Sequence, residues 1–386
     1  RGVTDFSSSD YDPLSQEILD YFYFVEPRWP NDTMGSLVNT PIYDPDKKTG
    51  YCWIEWTQPL PVRETSLGSY MNVSVASHPA IPFSFSITHG ANNWSRAYNP
   101  NLGVEAKNGV MEGTYFQACW DQVLETMPDT IMLVSWNMWT VLKLPYENGE
   151  YMYVDTVNLD YSLSIEMARG AYEDNYYMQS AMNIRDYKFT GESPAYEAQT
   201  IDINGSYAQW YITEGVYRQI GEKAYRRMSS SVDGSITYRT SLPENNIQEI
   251  RVAHDQDNIY FMLRTEKDIT SRKDGSLSWM NLFIGAGEPS LEGWEGYEYV
   301  INRTGLGSLD KLGEDFSLEN AGGCTVEIDK NVMYITLDRA LIGLSGEFSV
   351  YFKVADGIES PEDIMDYYVS GQSVPMGRFS FWYKGR

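Results

Sequence analysis

The sequence predicts a two-domain protein of mixed class, with an α/β first half that forms part of a (β/α) barrel and an all-β second half that forms an antiparallel β-sandwich. Three observations support this prediction. The 386 residues exceed the size at which one hydrophobic core usually stops growing. An amphipathic helix is followed directly by a short apolar strand in the first half. From Ala195 onward the apolar residues alternate with period two, which is typical of strands.

The α/β prediction rests on the segment from Gly113 to Ser135. Pro128 and Asp129 end a stretch with helical spacing, and Thr130 to Ser135 is a continuous apolar run of the kind buried on both faces of a parallel sheet. Helix, short loop and buried strand make one α/β unit. The apolar face of the predicted helix consists of Phe116, Cys119, Trp120, Val123, Leu124 and Met127.

Further elements of the first half follow from shorter patterns. Residues 72–76 and 83–87 alternate as strands do, and His89 to Tyr98 is a Gly/Asn/Trp loop typical of a binding site. A closing helix is expected between Leu159 and Lys188. The predicted domains are therefore residues 1–190 for the barrel part, 191–194 for the linker and 195–386 for the sandwich.

The second half contains at least eight alternating segments and hardly any helical pattern. Two pairs of segments flank turn residues, Asp255 to Asn258 and Asp329 to Asn331, so both pairs predict β-hairpins. Many short antiparallel strands of this kind are typical of a sandwich or jelly roll.

Composition narrows the range of partners. The formal charge is −25, so nucleic acid and anionic membrane surfaces would be repelled. No apolar run approaches the roughly 20 residues of a membrane span. Aromatic residues make up 14% of the chain, which favours some rings facing outward, although a β-rich fold alone also uses many such rings.

Cysteine and metal patterns are weak. Cys52, Cys119 and Cys324 are too scattered for a disulfide framework or a zinc site, and Cys119 lies on the apolar face of the helix. No cofactor is predicted. A structural calcium in the sandwich stays open, since acidic and carbonyl oxygens abound, but no loop carries a diagnostic ligand pattern.

Four motifs of the second half carry a family resemblance: LFIG from residue 282, GWEGYEYVINR from Gly293, YFKVADG from Tyr351 and DIMDYYVSGQSVPMGRFSFWY from Asp363. With these motifs the second half resembles family 9 carbohydrate-binding modules of secreted bacterial glycan enzymes. Such modules hold ligand between aromatic side chains. The resemblance implies a sugar platform of Trp279 and Trp294 with Tyr297 at its edge, and with Asn302 or Arg303 reaching hydroxyls; the alternative is that these rings pack the sandwich.

Five stretches of the first half carry a second resemblance: YFYFVEPRWP (Tyr21 to Pro30), NVSVASHP (Asn72 to Pro79), NNWSRAY (Asn92 to Tyr98), VSWNMW (Val134 to Trp139) and EDNYYMQSAMNIRDYK (Glu173 to Lys188). With these stretches the first half resembles the C-terminal part of bacterial barrels similar to glycoside hydrolase families 71 and 99. The resemblance implies substrate contacts by Trp136, Asn137 and Trp139. Met138 stands where the related barrels carry a glutamate. A barrel needs about 250 residues and only some 190 precede the linker, so an N-terminal barrel segment of the same protein is expected as a partner.

Glycoside hydrolysis needs two carboxylates on either side of the scissile bond. The candidates at strand ends and site loops are Glu55, Asp155, Asp160 and Glu166, each of which could equally be a solvated or salt-bridged acid. The loop with Asn92, Trp94 and Arg96 could instead bind sugar hydroxyls over an indole ring, or form a structural rim.

The functional hypothesis is binding, and hydrolysis, of an extracellular polysaccharide or oligosaccharide by a secreted, periplasmic or cell-surface bacterial protein. The first alternative is a non-catalytic glycan-binding surface protein with a degenerate barrel, favoured by Met138. The second is a structural protein whose aromatic residues all lie in its cores.

Overall fold

The chain divides into two compact units, Arg1–Thr190 and Gly191–Arg386, each described here by itself. In this computed structural model the described residues are 17–18, 20–22, 26–28, 50–65, 68–79, 93–138, 143–153, 158–191, 193–218, 228–231 and 233–386. The predicted strand at 83–87 and the histidine at 89 lie outside them. No helix among the described residues is long and apolar enough to cross a membrane.

The N-terminal unit is built around two parallel strands with a helix between them in the chain. Strand β4 (Gly68–Ser74) pairs in parallel with β7 (Thr130–Val134), and β3 (Arg63–Thr65) adds antiparallel to β4. Helix α2 (Thr114–Thr126) connects the two parallel strands, as the sequence predicted. The other elements of this unit are β1 (Glu26–Arg28), β2 (Gly50–Cys52), β5 (Tyr98–Asn99), β6 (Val104–Glu105), α1 (Gly109–Glu112), β8 (Lys143–Pro145), a 3₁₀ turn (Glu147–Gly149), β9 (Tyr151–Tyr153) and α3 (Asn175–Tyr187).

Burial of one helical face holds this unit together. Phe116, Trp120 and Val123 of α2 are buried against Met71 and Val73 of β4. The predicted apolar face is thus the core face, and burial raises the pKa of the Cys119 thiol to about 12. Strand β7 departs from the prediction, because only Val134 is fully buried and its other residues are partly exposed.

Two further expectations for this unit need correction or remain untested. The closing helix is shorter than the expected 159–188 region, since only Asn175–Tyr187 is helical and the preceding residues form turns. The described strands form a three-stranded mixed sheet, a two-stranded parallel pair, β1 with β2, and two antiparallel pairs, β5 with β6 and β8 with β9, rather than a series of barrel strands. The partial barrel therefore stays a prediction.

The C-terminal unit is a β-sandwich, as the period-two pattern predicted. Its strands are β10 (Ala195–Tyr196), β11 (Gly215–Arg218), β14 (Ile247–His254), β15 (Asn258–Thr265), β16 (Asn281–Ala286), β17 (Tyr299–Ile301), β18 (Ser308–Leu312), β19 (Leu318–Gly323), β20 (Thr325–Asp329), β21 (Val332–Asp338), β22 (Phe348–Asp356), β23 (Gln372–Val374) and β24 (Phe381–Gly385), with a separate hairpin of β12 (Met228–Ser230) and β13 (Thr237–Arg239).

These strands form two sheets. One sheet has eight strands in the order β10-β24-β22-β16-β17-β18-β19, with β23 also paired to β22, and the other has five in the order β11-β14-β15-β21-β20. Both predicted hairpins are confirmed as β14 with β15 and β20 with β21.

The core of the sandwich lies between its two sheets. Every second residue of the long strands points inward, for example Phe261 of β15 and Phe352 of β22, whose rings meet edge to face at 5.4 Å. At about 25 cal/mol per Å² of apolar area removed from water, this continuous layer supplies the main stabilisation of the unit.

Segments outside the strands cover the outer faces of both sheets. A 3₁₀ helix, Tyr207–Ile212, places Trp210 on the outer face of the five-stranded sheet, where its ring lies near Tyr334. Another 3₁₀ helix, Ile364–Tyr368, brings Tyr367 against Phe283 on the outer face of the eight-stranded sheet. A third, Arg339–Ile342, follows β21.

Candidate functional site

The predicted catalytic acids have separate surroundings in the structure. Glu55 is buried and forms a two-point ion pair with Arg63, whose Nη2 lies 2.8 Å from Glu55 Oε2. This pairing raises the pKa of the Arg63 guanidinium above its ordinary value, mainly through the hydrogen bond to Glu55. A carboxylate neutralised in this way is poorly suited to act as a nucleophile or general base.

Two other predicted acids, Asp160 and Glu166, lie on loops. Asp160 is exposed, and its backbone carbonyl accepts a hydrogen bond from the Arg96 amide at 2.7 Å. Glu166 is half-buried, and its backbone amide donates to the Trp136 carbonyl at 2.8 Å. Asp155 lies outside the described residues, as do Asn92 and Trp139.

The predicted role of Arg96 in binding sugar hydroxyls is wrong for this structure, because its side chain is fully buried. Its Nη2 donates to Ser162 Oγ at 2.8 Å and to the Ser164 carbonyl at 2.5 Å. Its guanidinium lies 4.3 Å from the ring centre of Tyr172 and 4.4 Å from that of Tyr176. Arg96 therefore acts as an interior cross-link between the loop and helix α3.

The rings that follow the strands of the N-terminal unit differ in access. Trp94 is half-buried and stacks on Tyr98, with ring centres 5.6 Å apart and planes at 9°. Trp136 directly follows β7 and is 45% exposed, with Tyr177 against its edge. Asn137 is exposed beside it. The positions of Trp136 and Asn137 leave their predicted substrate contact as a hypothesis.

The aromatic platform expected in the sandwich is not a surface. Trp279, Trp294 and Tyr297 are only 2%, 4% and 1% exposed, so no sugar ring can stack on them as they stand. Trp279 Nε1 donates to the Thr270 carbonyl, and Trp294 Nε1 donates to the Glu362 carbonyl. These rings pack the sandwich, which was the alternative to the sugar platform.

The polar residues assigned to the platform are buried as well. Asn302 takes a left-handed backbone conformation, donates to the Met280 carbonyl and accepts from the Gly307 amide, so it closes a turn. Arg303 donates to the Leu277 carbonyl and lies over the Phe316 ring at 4.9 Å. Neither side chain is available to a sugar hydroxyl.

Metal chemistry finds no support in the part of the chain that the structure describes. No group of three or more His, Cys, Asp or Glu side chains could hold a metal ion among those residues. The most enclosed carboxylate of the sandwich, Asp356, accepts hydrogen bonds from the backbone amides of Asn245 and Met280 instead. Burial raises the pKa of this carboxyl.

An open cleft at one edge of the sandwich combines an aromatic surface with polar groups. It encloses about 220 Å³ beside the edge strand of each sheet, β10 and β11. Its aromatic surface is Tyr196, which is partly exposed and stacks on the buried Tyr383, only 1% exposed, with ring centres 5.1 Å apart and planes at 15°. We call this site the Tyr196 cleft; its lining residues are Tyr196, Glu197, Ala198, Gln199, Ile212, Thr213, Glu214, Gly215, Val252, Ala253 and Tyr383.

Hydrogen bonds fix the walls of the cleft. The Gln199 amide nitrogen of the backbone donates to the His254 carbonyl at 2.6 Å, and its side-chain Nε2 donates to the Gln209 carbonyl at 3.0 Å. Thr213 Oγ1 donates to Gln199 Oε1 at 3.3 Å. The polar wall is therefore organised before any ligand arrives, which reduces the entropic cost of binding.

Glycine at position 215 leaves room for the Tyr383 ring, which lies beneath Tyr196 at the floor of the cleft. A Cβ atom there would lie 2.6 Å from the Val252 carbonyl oxygen and 2.9 Å from the Tyr383 ring. Both approaches are shorter than van der Waals contact, so a larger residue would push the ring or the strand away.

The buried His254 side chain orients the Tyr383 ring. His254 Nε2 lies 3.0 Å from the Arg386 carbonyl oxygen, which can only accept, so Nε2 carries the proton. Nδ1 then accepts from the Tyr383 hydroxyl at 2.6 Å. Desolvation lowers the pKa of His254, which favours this neutral form.

A second cleft of the sandwich offers a contrast. It has a volume of about 240 Å³, and its described lining residues include Asn245, Asn246 and Lys267 but no aromatic ring. The Tyr196 cleft is the better candidate for a ligand with both apolar and hydroxylated faces.

Comparisons with known proteins give remote structural neighbours for the chain. No family model and no curated protein matches it. One solved structure is a family 9 carbohydrate-binding module from Caldicellulosiruptor kristjanssonii in complex with glucose, with 10% identity, 50% of this chain and 93% of that chain covered, and a TM-score of 0.25. Another is such a module from the same organism in complex with cellotriose, with 9% identity, 36% and 76% covered, and a TM-score of 0.17.

Sequence reasoning missed the Tyr196 cleft. Tyr196 and Tyr383 lie near opposite ends of the sandwich sequence, and nothing in the local pattern indicates that they stack. Only the pairing of β10 with β24 brings them together.

Proposed function

We propose that the C-terminal sandwich binds a carbohydrate in the Tyr196 cleft. The observation that carries this proposal is the partly exposed ring of Tyr196, backed by the buried Tyr383, in an open cleft whose other walls present amide, hydroxyl and carboxylate groups. A sugar ring has an apolar C–H face and a rim of hydroxyls, so it needs both kinds of surface at once. The resemblance of the 282–383 motifs to family 9 carbohydrate-binding modules agrees with this ligand class.

The energetic argument favours the aromatic floor as the source of affinity. A sugar hydroxyl exchanges water for protein, so each hydrogen bond contributes about 0.5–1.5 kcal/mol net. Covering an aromatic face contributes about 1–3 kcal/mol by area. The cleft volume lies below the range of about 300–1,000 Å³ typical of drug-sized ligands, so one sugar ring at a time is the expected occupant.

Hydrolysis by the N-terminal unit is not part of this proposal. Glu55 is paired with Arg63, and the side chain at Met138, where the related barrels carry a glutamate, can neither give nor take a proton. A glycan ligand agrees with the expected secreted, periplasmic or cell-surface location, which fractionation of the native cell would test.

Titration of the full chain with a panel of oligosaccharides, followed by calorimetry or NMR, tests the proposal. We expect binding by at least one neutral or amino-sugar oligosaccharide, and a loss of about tenfold or more in affinity for Tyr196→Ala. Tyr238→Ala is the matched control, because Tyr238 is a 56% exposed tyrosine elsewhere in the same unit. A folded Tyr196→Ala variant that binds like the parent would overturn the assignment.

A further inference from the structure

The Tyr196 cleft has an unbalanced charge. Its described lining residues include two carboxylates, Glu197 and Glu214, and no lysine, arginine or histidine. Both carboxylates are exposed at the rim, where an incoming ligand meets them first. The net charge of −25 on the whole chain adds a background of the same sign.

The two carboxylates differ in how far they are compensated. Glu197 Oε1 lies 3.4 Å from Arg386 Nη1, and both side chains are largely exposed, so this ion pair is loose. Glu214 forms no ion pair among the described residues. Burial, and to a smaller extent the Glu214 charge, raise the pKa of Tyr196, while a hydrogen bond with Tyr217 opposes the shift.

We infer that the Tyr196 cleft selects its ligand by charge and prefers a carbohydrate bearing protonated amino groups over a neutral one, and a neutral one over a uronic acid. This inference rests on the proposed carbohydrate-binding function. An ammonium group on the sugar rim can approach Glu214, which has no ion pair among the described residues, whereas a carboxylate there meets the like charges of Glu214 and Glu197. Exposed pairs are screened by water and salt, so we expect a preference of roughly two- to fivefold for each step of the order.

The test compares three oligosaccharides of equal length and linkage, built from glucosamine, glucose and glucuronic acid, against the full chain. The titrations are made at about pH 6, where an amine with a pKa near 8 is protonated, and at low and high salt. We expect the affinity order amine, neutral, acid at low salt and a compressed order at high salt. Trilysine serves as a cation without a sugar ring and should bind at least tenfold more weakly than the glucosamine oligosaccharide.

Variants separate the cleft from the general charge of the protein. Glu214→Gln should remove most of the difference in affinity between the amine and the neutral sugar. Glu327→Gln, an exposed glutamate on β20 at the other edge of the five-stranded sheet, should leave the order intact.

The outcomes that would contradict the inference are distinct from those that would remove the proposed function. Equal or reversed affinities, an equal effect of Glu214→Gln and Glu327→Gln, or tight binding of trilysine would each overturn the charge selection while carbohydrate binding stands. If none of the three oligosaccharides nor any member of the wider panel binds, the proposed function fails and the charge inference fails with it.

Discussion

At the scale of single residues, the burial of Trp294 changes what its removal should do. Its indole is enclosed by Phe283, Phe316 and Tyr367, with ring centres 4.7–5.6 Å away. Trp294→Ala would leave a large cavity and an unpaired Glu362 carbonyl. We therefore expect a loss of about 3–5 kcal/mol in the free energy of unfolding, measured by urea denaturation of the sandwich transition.

The matched control for this prediction is Tyr238→Ala, whose ring is exposed and whose loss should cost less than about 0.5 kcal/mol. A Trp294→Ala protein as stable as the parent would mean that the ring is not part of the core. The comparison also separates structure from binding, because Trp294→Ala should affect stability and Tyr196→Ala should affect affinity.

His78 gives a residue-scale prediction about pH. Burial lowers its pKa from 6.5 to about 4, so the unfolded state binds a proton more readily than the folded state. Stability contributed by neutral His78 is complete above about pH 6.5 and is lost as the pH falls towards about 4, with a slope of up to about 1.4 kcal/mol per pH unit. The chain has three histidines, so the ring signals in an NMR titration can be assigned with His78→Gln. A midpoint near 6.5 for His78 would contradict the prediction.

The sequence predicted which residues are apolar better than it predicted which of them are covered. Alternation along β16 places Leu282 and Phe283 on opposite faces of the sheet, but it cannot say whether a face meets water or another segment. Here Tyr367, some 80 residues later in the chain, covers Phe283. The platform was therefore predicted at the surface because the covering segment has no local signature.

At the scale of elements, helix α2 ends in an unfavourable way that suggests a stabilising change. Met127 caps the helix in the left-handed conformation, with φ of 52°, and its backbone amide bonds to the Val123 carbonyl. A non-glycine residue in this conformation destabilises the fold by about 1–2 kcal/mol. Glycine would remove this strain, but its larger conformational entropy in the unfolded chain would offset part of the gain. We expect Met127→Gly to raise the free energy of unfolding of the N-terminal unit by about 0.5–1 kcal/mol.

The control for Met127→Gly is Glu125→Gly, an exposed position inside the same helix. There glycine should destabilise by about 1 kcal/mol, because the backbone is helical and gains nothing from the substitution. If thermal or urea unfolding shows that both variants lower the free energy of unfolding by the same amount, the conformation of Met127 imposes no strain.

Elements were predictable where the pattern is local. The helix before Pro128 and the hairpins around Asp255 and Asp329 depend on spacing and turn residues within a dozen positions, and each is found where expected. The predicted closing helix was too long. Tyr177, Ala181 and Ile184 have helical spacing and lie in the observed helix, but the residues before Asn175 do not continue that spacing. The chain before that helix instead folds around the buried Arg96.

At the scale of the whole molecule, the sequence predicted two domains of different class from the change in period near Ala195. The structure divides into compact units after Thr190, and each unit has its own apolar core. The period of apolar residues carries this information because helices and strands repeat differently. The cleft did not follow from any period, because it is made by residues that only the completed topology brings together.

The residues that form the Tyr196 cleft are far apart in the chain, and this separation determines when the cleft can form during synthesis. Its floor joins β10 to β24, and Glu197 of its lining is 189 residues from Arg386, with which it pairs. At about 5–20 residues per second, a ribosome needs roughly 10–40 seconds to deliver the second tyrosine after the first. For that interval Tyr196 has no stacking partner, so the ligand site cannot exist until β24, the last strand of this unit, has been made and has paired with β10.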